Sequence, residues 1–197
     1  MPALSASRPR RYRRKIWVMT TFIALLRGIN VGGHNRISMA GLRSCCNEIG
    51  WKNVQTYIQS GNLVFEAPGR APAVEAALEK AVSMRFDLSV PVIVRTASEW
   101  GRYPAGNPFP EASANEPNLV MIALSKNPPI TGTIEALRER AVTGESIEQC
   151  EDAIWIHFGG GVARSTLSPG LMDRVVGSPV TTRNWRTVIR LAELACV

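Results

Sequence analysis

From Ile16 to Leu26 every position is apolar except Thr20 and Thr21. A run that is apolar on both faces predicts a strand, placed at Thr20 to Leu26, covered on both sides. Glycines and asparagines then fill the chain through Asn35. Ser38 follows as an N-cap, with Met39, Leu42, Cys45, Cys46 and Ile49 at helical spacing and Gly50 to close the helix. Val54 to Ile58 and Asn62 to Ala67 flank Gln59-Ser60-Gly61 and predict a hairpin. A helix from about Pro72 to Phe86 and a strand from Val90 to Arg95 complete the order β-α-β-β-α-β, the ferredoxin-like or split βαβ arrangement.

The remainder partly repeats that order. A short helix near Ser98 to Tyr103 leads into a Pro/Gly/Asn-rich link from Pro104 to Pro117. A strand at Leu119 to Ser125, a helix at Ile134 to Val142, strands at Ser146 to Cys150 and Ile154 to Phe158, and two C-terminal helices follow. No closing strand stands out in this second part. The predicted class is α+β, with a ferredoxin-like half over 19–97, a linker with a short helix over 98–118 and a related α+β half over 119–197 packed against the first. Residues 1–18 read as a disordered basic arm.

This topology already bears on function. The loop after the first strand and the hairpin after the second share one end of the sheet. In the usual strand order the first strand also lies beside the third, which sets Arg27 close to Asn62.

Charge changes the picture less than its total suggests. The net charge is +7, but Arg8, Arg10, Arg11, Arg13, Arg14 and Lys15 supply all but one of it. Such an arm is a salt-sensitive contact for nucleic acid or an anionic membrane surface. The competing reading is an extension ahead of Met19 as the true start. Arm and apolar run together imitate a signal peptide, yet Arg27 ends the run without a small-residue cleavage site, and its eleven residues are too few to cross a bilayer. The four cysteines make no C-x-x-C, and only two histidines accompany them, which points away from metal and redox chemistry. Adjacent Cys45 and Cys46 suit buried thiols in a reducing compartment. A cytoplasmic protein with no cofactor, no metal and no membrane partner is expected.

The candidate chemistry lies in three stretches: Arg27-Gly-Ile-Asn-Val-Gly-Gly33, Tyr57-Ile-Gln-Ser-Gly-Asn62 and Thr181-Thr-Arg-Asn-Trp185. They concentrate glycine, amide, hydroxyl and arginine and contain no Asp, Glu, Lys or Cys. Gly28, Gly32 and Gly33 permit positive φ and open backbone N–H groups to an anion, with Asn30 adding an amide. The same glycines equally serve a tight turn, and neither a P-loop nor a dinucleotide fingerprint is complete. Gln59, Ser60 and Asn62 put three polar side chains on one hairpin tip. Thr181 or Thr182 reads as the cap of a helix running through Arg186, Val188, Ile189, Leu191 and Leu194. That puts Arg183 and Asn184 in its first turn, where free N–H groups favour an anion. The other reading pairs Arg183 with a distant carboxylate. His34 has no carboxylate neighbour to orient it, His157 reads as a strand residue, and no serine sits in a nucleophile elbow. No catalytic residue is assigned. Asn62-Leu-Val-Phe-Glu66 lacks the aromatic spacing of RNA-binding sheets, and a sheet covered on both faces offers no open platform.

In this order, the three stretches resemble the signature segments of the bacterial domain-of-unknown-function family 1697, over about Met19 to Leu194. The resemblance implies paired ferredoxin-like halves and no established activity. His34 stands where lysine is expected in that family. The combined expectation is a binding protein or enzyme for a small anionic metabolite, nucleotide-like or phosphorylated, held by Arg27, Gly28, Asn30, Gly32, Gly33, Gln59, Ser60, Asn62, Arg183 and Asn184. The alternatives are a nucleic-acid or protein interaction module aided by the arm, and motifs that only lock the two halves together.

Overall fold

β1 (Met19–Leu26) takes an interior place in its sheet because both of its faces are apolar. Phe22, Ala24 and Leu26 enter one core, while Ile23 and Leu25 enter another. The computed structural model describes residues 18–197, so the basic arm, apart from Val18, lies outside the described residues. After β1 come α1 (Met39–Glu48), β2 (Lys52–Tyr57), β3 (Asn62–Pro68), α2 (Ala71–Phe86) and β4 (Val92–Thr96). The strands form an antiparallel sheet in the order β2-β3-β1-β4. Ser38 caps α1 as its sequence predicts, its hydroxyl accepting the Gly41 N–H at 3.1 Å.

A connecting stretch follows. The single short helix expected at Ser98 to Tyr103 is two four-residue turns, α3 (Ala97–Trp100) and α4 (Arg102–Ala105), hinged at Gly101. The link beyond them carries one further turn, α5 (Pro110–Asn115), which starts on a proline. Then come β5 (Val120–Ser125), α6 (Thr133–Arg138), β6 (Glu145–Cys150), β7 (Ala153–Phe158), α7 (Pro169–Val176), β8 (Val180–Asn184) and α8 (Trp185–Leu194). Their sheet runs β6-β7-β5-β8, again antiparallel. Both sheets therefore place their strands in the same relative order: second, third, first, fourth.

β8 corrects the sequence reading. Thr181 to Asn184 is not a helix start but the closing strand of the second sheet, with Arg183 opposite Ile122 of β5. The β-branched Val180, Thr181 and Thr182 favour extended backbone. The N-cap falls on Asn184, whose Oδ1 accepts the Thr187 N–H at 3.0 Å.

Apolar side chains collect in three layers. α1 and α2 cover one face of the first sheet through Leu42, Cys46, Leu78 and Val82. α6 and α7 cover one face of the second through Leu137, Met172 and Val176. Between the sheets a shared core joins Ile23, Leu25, Val64 and Ile93 to Val120, Ile122, Leu124 and Trp155, with Trp100 and α8 residues Val188 and Leu191. Full burial contributes roughly 1.5–3 kcal/mol for each large apolar side chain, so the middle layer alone binds the halves firmly. Among the described residues, no sheet face is left open for stacked bases.

Candidate functional site

Arg183 is the centre of the polar cluster. Its residue is 9% exposed and its guanidinium meets no carboxylate among the described residues. Five oxygens receive its donors instead. Nε donates to Asn62 Oδ1, Nη1 to Thr181 Oγ1 and the Thr182 carbonyl, and Nη2 to the Leu26 and Ser60 carbonyls. A guanidinium has five N–H groups, so none remains for a ligand. Burial pushes the group down to about 10, which still leaves it protonated at neutral pH.

Asn62 is equally committed. It is fully buried, and its Nδ2 donates to the Tyr57 carbonyl and the Ser60 hydroxyl, both at 3.0 Å. The strand order puts it opposite Leu25, as the sequence argument requires. Asn184 stands apart from this cluster, capping α8 and reaching Asn118 Oδ1 at 3.3 Å.

Arg27 crosses between the sheets. Its Nε donates to the Val180 carbonyl at 3.0 Å, and Nη2 lies 2.6 Å from Asp173 Oδ2. A matching contact occurs at the end of β5, where Lys126 Nζ reaches Glu79 and Glu75 of α2 at 2.5 and 3.3 Å. The two contacts are counterparts in detail. The Arg27 N–H bonds to the Pro91 carbonyl, and the Lys126 N–H to the Pro179 carbonyl. Glu79 and Asp173 each also accept the N–H of the residue opening the last strand, Val92 or Val180, at 3.0 and 2.8 Å. Each half thus grips the carboxylate of the other.

The glycine loop lies beyond this seam. Gly28, Asn30, Gly32, Gly33 and Asn35 all have φ between +47° and +81°, a run that only glycine and asparagine adopt readily. Asn30 is its brace. Its Nδ2 donates to the Ile37 and Gln59 carbonyls at 2.9 and 2.8 Å, and its Oδ1 accepts the Ile37 N–H at 2.9 Å. Asn35 ties back to the Gly28 carbonyl at 3.0 Å. The loop is consequently clamped to the hairpin tip, where Ile58 holds a left-handed φ of 49°, unusual for a β-branched residue.

What stays available lines an open groove of about 650 Å³ bordered by Asn30, Gly33, Arg36, Ser38, Gln59 and Phe86. The Gly32 and Gly33 N–H groups take no protein acceptor among the described residues. Arg36 is exposed and, among the described residues, spends only its Nε, on the Gly33 carbonyl at 3.3 Å. Of the predicted site residues, Asn30, Gly33 and Gln59 line this groove, while Ser60, Asn62 and Arg183 form the buried cluster, Arg27 turns to Val180 and Asp173, and Asn184 stands apart. The structure uses the side chains of Arg27, Asn30, Asn62 and Arg183 within the protein and adds Arg36, which sequence reasoning passed over. A lone basic residue two places before a helix cap was the available signal.

No candidate metal site of three or more His, Cys, Asp or Glu occurs among the described residues, and none of their helices is long and apolar enough to cross a membrane.

The family described as "Protein of unknown function (DUF1697)" matches residues 19–155, ending ahead of the Thr181 to Trp185 stretch. No curated protein matches the chain. Among solved structures, that of the conserved bacterial protein SP0830 from Streptococcus pneumoniae is similar. It has a TM-score of 0.71 at 20% identity, covering 90% of this chain and 99% of that one. At that identity the likeness concerns the fold alone.

Proposed function

The chain belongs to the DUF1697 family of proteins of unknown function, and from that starting point we propose that it binds a small anionic ligand, nucleotide-like or phosphorylated, in the groove between the glycine loop and the hairpin tip. The carrying observation is the convergence of Gly33, Arg36 and Gln59 on one groove, with the Arg36 guanidinium unneutralised. The free backbone N–H of Gly33 meets the anion. Arg36 supplies charge in a planar fork suited to phosphate or carboxylate, and Gln59 selects the rest of the ligand. The start of α1, a ten-residue helix capped by Ser38, lies at the same rim and favours negative charge. Arg27, Asn62 and Arg183 hold the rim in place.

A cytoplasmic setting goes with this reading. Burial pushes the Cys46 thiol up to about 12, and all four cysteines are free. A thermal-shift screen of nucleotides and phosphorylated metabolites tests the proposal. A hit raises the melting temperature, and Arg36→Ala abolishes that rise while leaving the unliganded protein within about a degree of wild type, as exposed substitutions do. An empty screen, or a hit indifferent to Arg36→Ala, refutes it.

A further inference from the structure

Arg95 on β4 is the counterpart of Arg183 on β8. Each lies three residues after the valine that opens its strand. Each donates Nη1 to the carbonyl just before it, Val94 or Thr182. Each donates Nη2 to the last carbonyl of the other half's first strand, Ser125 or Leu26, at 3.0 Å. Each donates Nε to the other half's hairpin, to Asp152 Oδ2 at 2.8 Å or to Asn62 Oδ1.

There the likeness ends. Arg183 spends its last two N–H groups on the Thr181 hydroxyl and the Ser60 carbonyl. Arg95 has Ile93 in the place of Thr181, and Ile93 offers no hydroxyl. Two Arg95 N–H groups, one on each Nη, consequently have no protein acceptor among the described residues.

Arg95 lines a cavity of about 330 Å³ together with Glu75, Glu99, Lys126 and Asp152. That volume lies at the small end of ligand sites, roughly 300–1,000 Å³. Most of the lining charge is already matched. Asp152 takes Arg95 and the Tyr103 hydroxyl, and Lys126 bridges Glu75 and Glu79. Glu99 is half-spent: Oε2 accepts the Thr96 N–H and hydroxyl at 2.7 and 2.8 Å, while Oε1 has no partner among the described residues.

We infer that this cavity is a ligand site for a small zwitterion of the α-amino-acid type, its carboxylate on the two spare Arg95 N–H groups and its ammonium on Glu99 Oε1. A simple anion would face three carboxylates against two cations in this lining. A simple amine would leave the Arg95 fork unfilled. A ligand bearing both signs satisfies the unused donors and the unused acceptor together and matches the charge of each.

The test is calorimetric titration of the full chain with each proteinogenic L-α-amino acid, and with the N-acetyl and α-amide derivatives of any that binds. A free amino acid is expected to bind, with each derivative weaker by at least about tenfold, the weight of one charge-assisted hydrogen bond. Glu99→Gln weakens binding to a similar degree without unfolding the protein, since glutamine at this position preserves the capping box with Thr96. Arg36→Ala leaves it unchanged, which separates this cavity from the anion groove. The assignment is overturned if no amino acid binds, if a blocked derivative binds as tightly, if Glu99→Gln is silent, or if Arg36→Ala removes the binding.

Discussion

Gly61 shows how little room the hairpin tip has. A Cβ there would lie 2.6 Å from Ile29 Cδ1 and 2.8 Å from Leu26 Cβ, on a backbone with φ of +76°. Gly61→Ala should therefore destabilise the protein by roughly 2–4 kcal/mol, combining overpacking with left-handed strain. Gly28→Ala, at a φ of +67° with nothing within 4 Å, should cost only the strain, about 1–2 kcal/mol. Urea denaturation of the two variants measures the difference, and equal losses would contradict it. At this scale much of the site was legible. The pairing of Asn62 with Leu25, two places before Arg27, follows from strand order, because the pairing partner of a first strand in β-α-β-β-α-β leaves few choices. The acceptors of Arg183 were not legible, since four of the five come from Asn62, Leu26, Ser60 and Thr181, two of them as backbone carbonyls that no residue type advertises.

Among the elements, most strands and long helices follow from periodicity, and β8 is the instructive exception. Thr and Asn are both good caps, and of Thr181, Thr182 and Asn184 the sequence reading took one of the threonines as the helix start and left Asn184 in the first turn. The true start is the last of them, and the residues before it complete a sheet. Placing Arg183 in a strand changes its chemistry from an exposed anion contact to a buried fork. Arg183→Lys should then be far from conservative. Three ammonium donors cannot serve five oxygens, and the loss is about 2 kcal/mol or more. Arg183→Met, which leaves all five oxygens without the guanidinium, should lose about 3–5 kcal/mol. Thermal melts rank the two, and a lysine variant as stable as wild type would show that the fork is not needed.

For the molecule as a whole, three apolar layers and two reciprocal clasps bind sheets that share one strand order. The likeness of the halves was partly readable, because the repeated strand and helix pattern survives. Their mutual grip was hidden, for Arg27 and Lys126 differ in type, as do Asp173 and Glu79. The exchanged arginines also have a consequence for how the chain folds. Arg95 cannot find the Ser125 carbonyl, nor Arg183 the Leu26 carbonyl, until the other sheet exists. A half-folded molecule would forgo these hydrogen bonds and expose the apolar layer shared by the two sheets to water, so such an intermediate should be too costly to accumulate, and unfolding should be cooperative across both sheets. In native-state hydrogen exchange, amides of Leu63 to Phe65 and of Ile154 to Ile156 should open with the same free energy, within about 1 kcal/mol; a wide gap would mean that the sheets melt separately. The two arginines thus act as a checkpoint on assembly, since each sheet is finished only by the other.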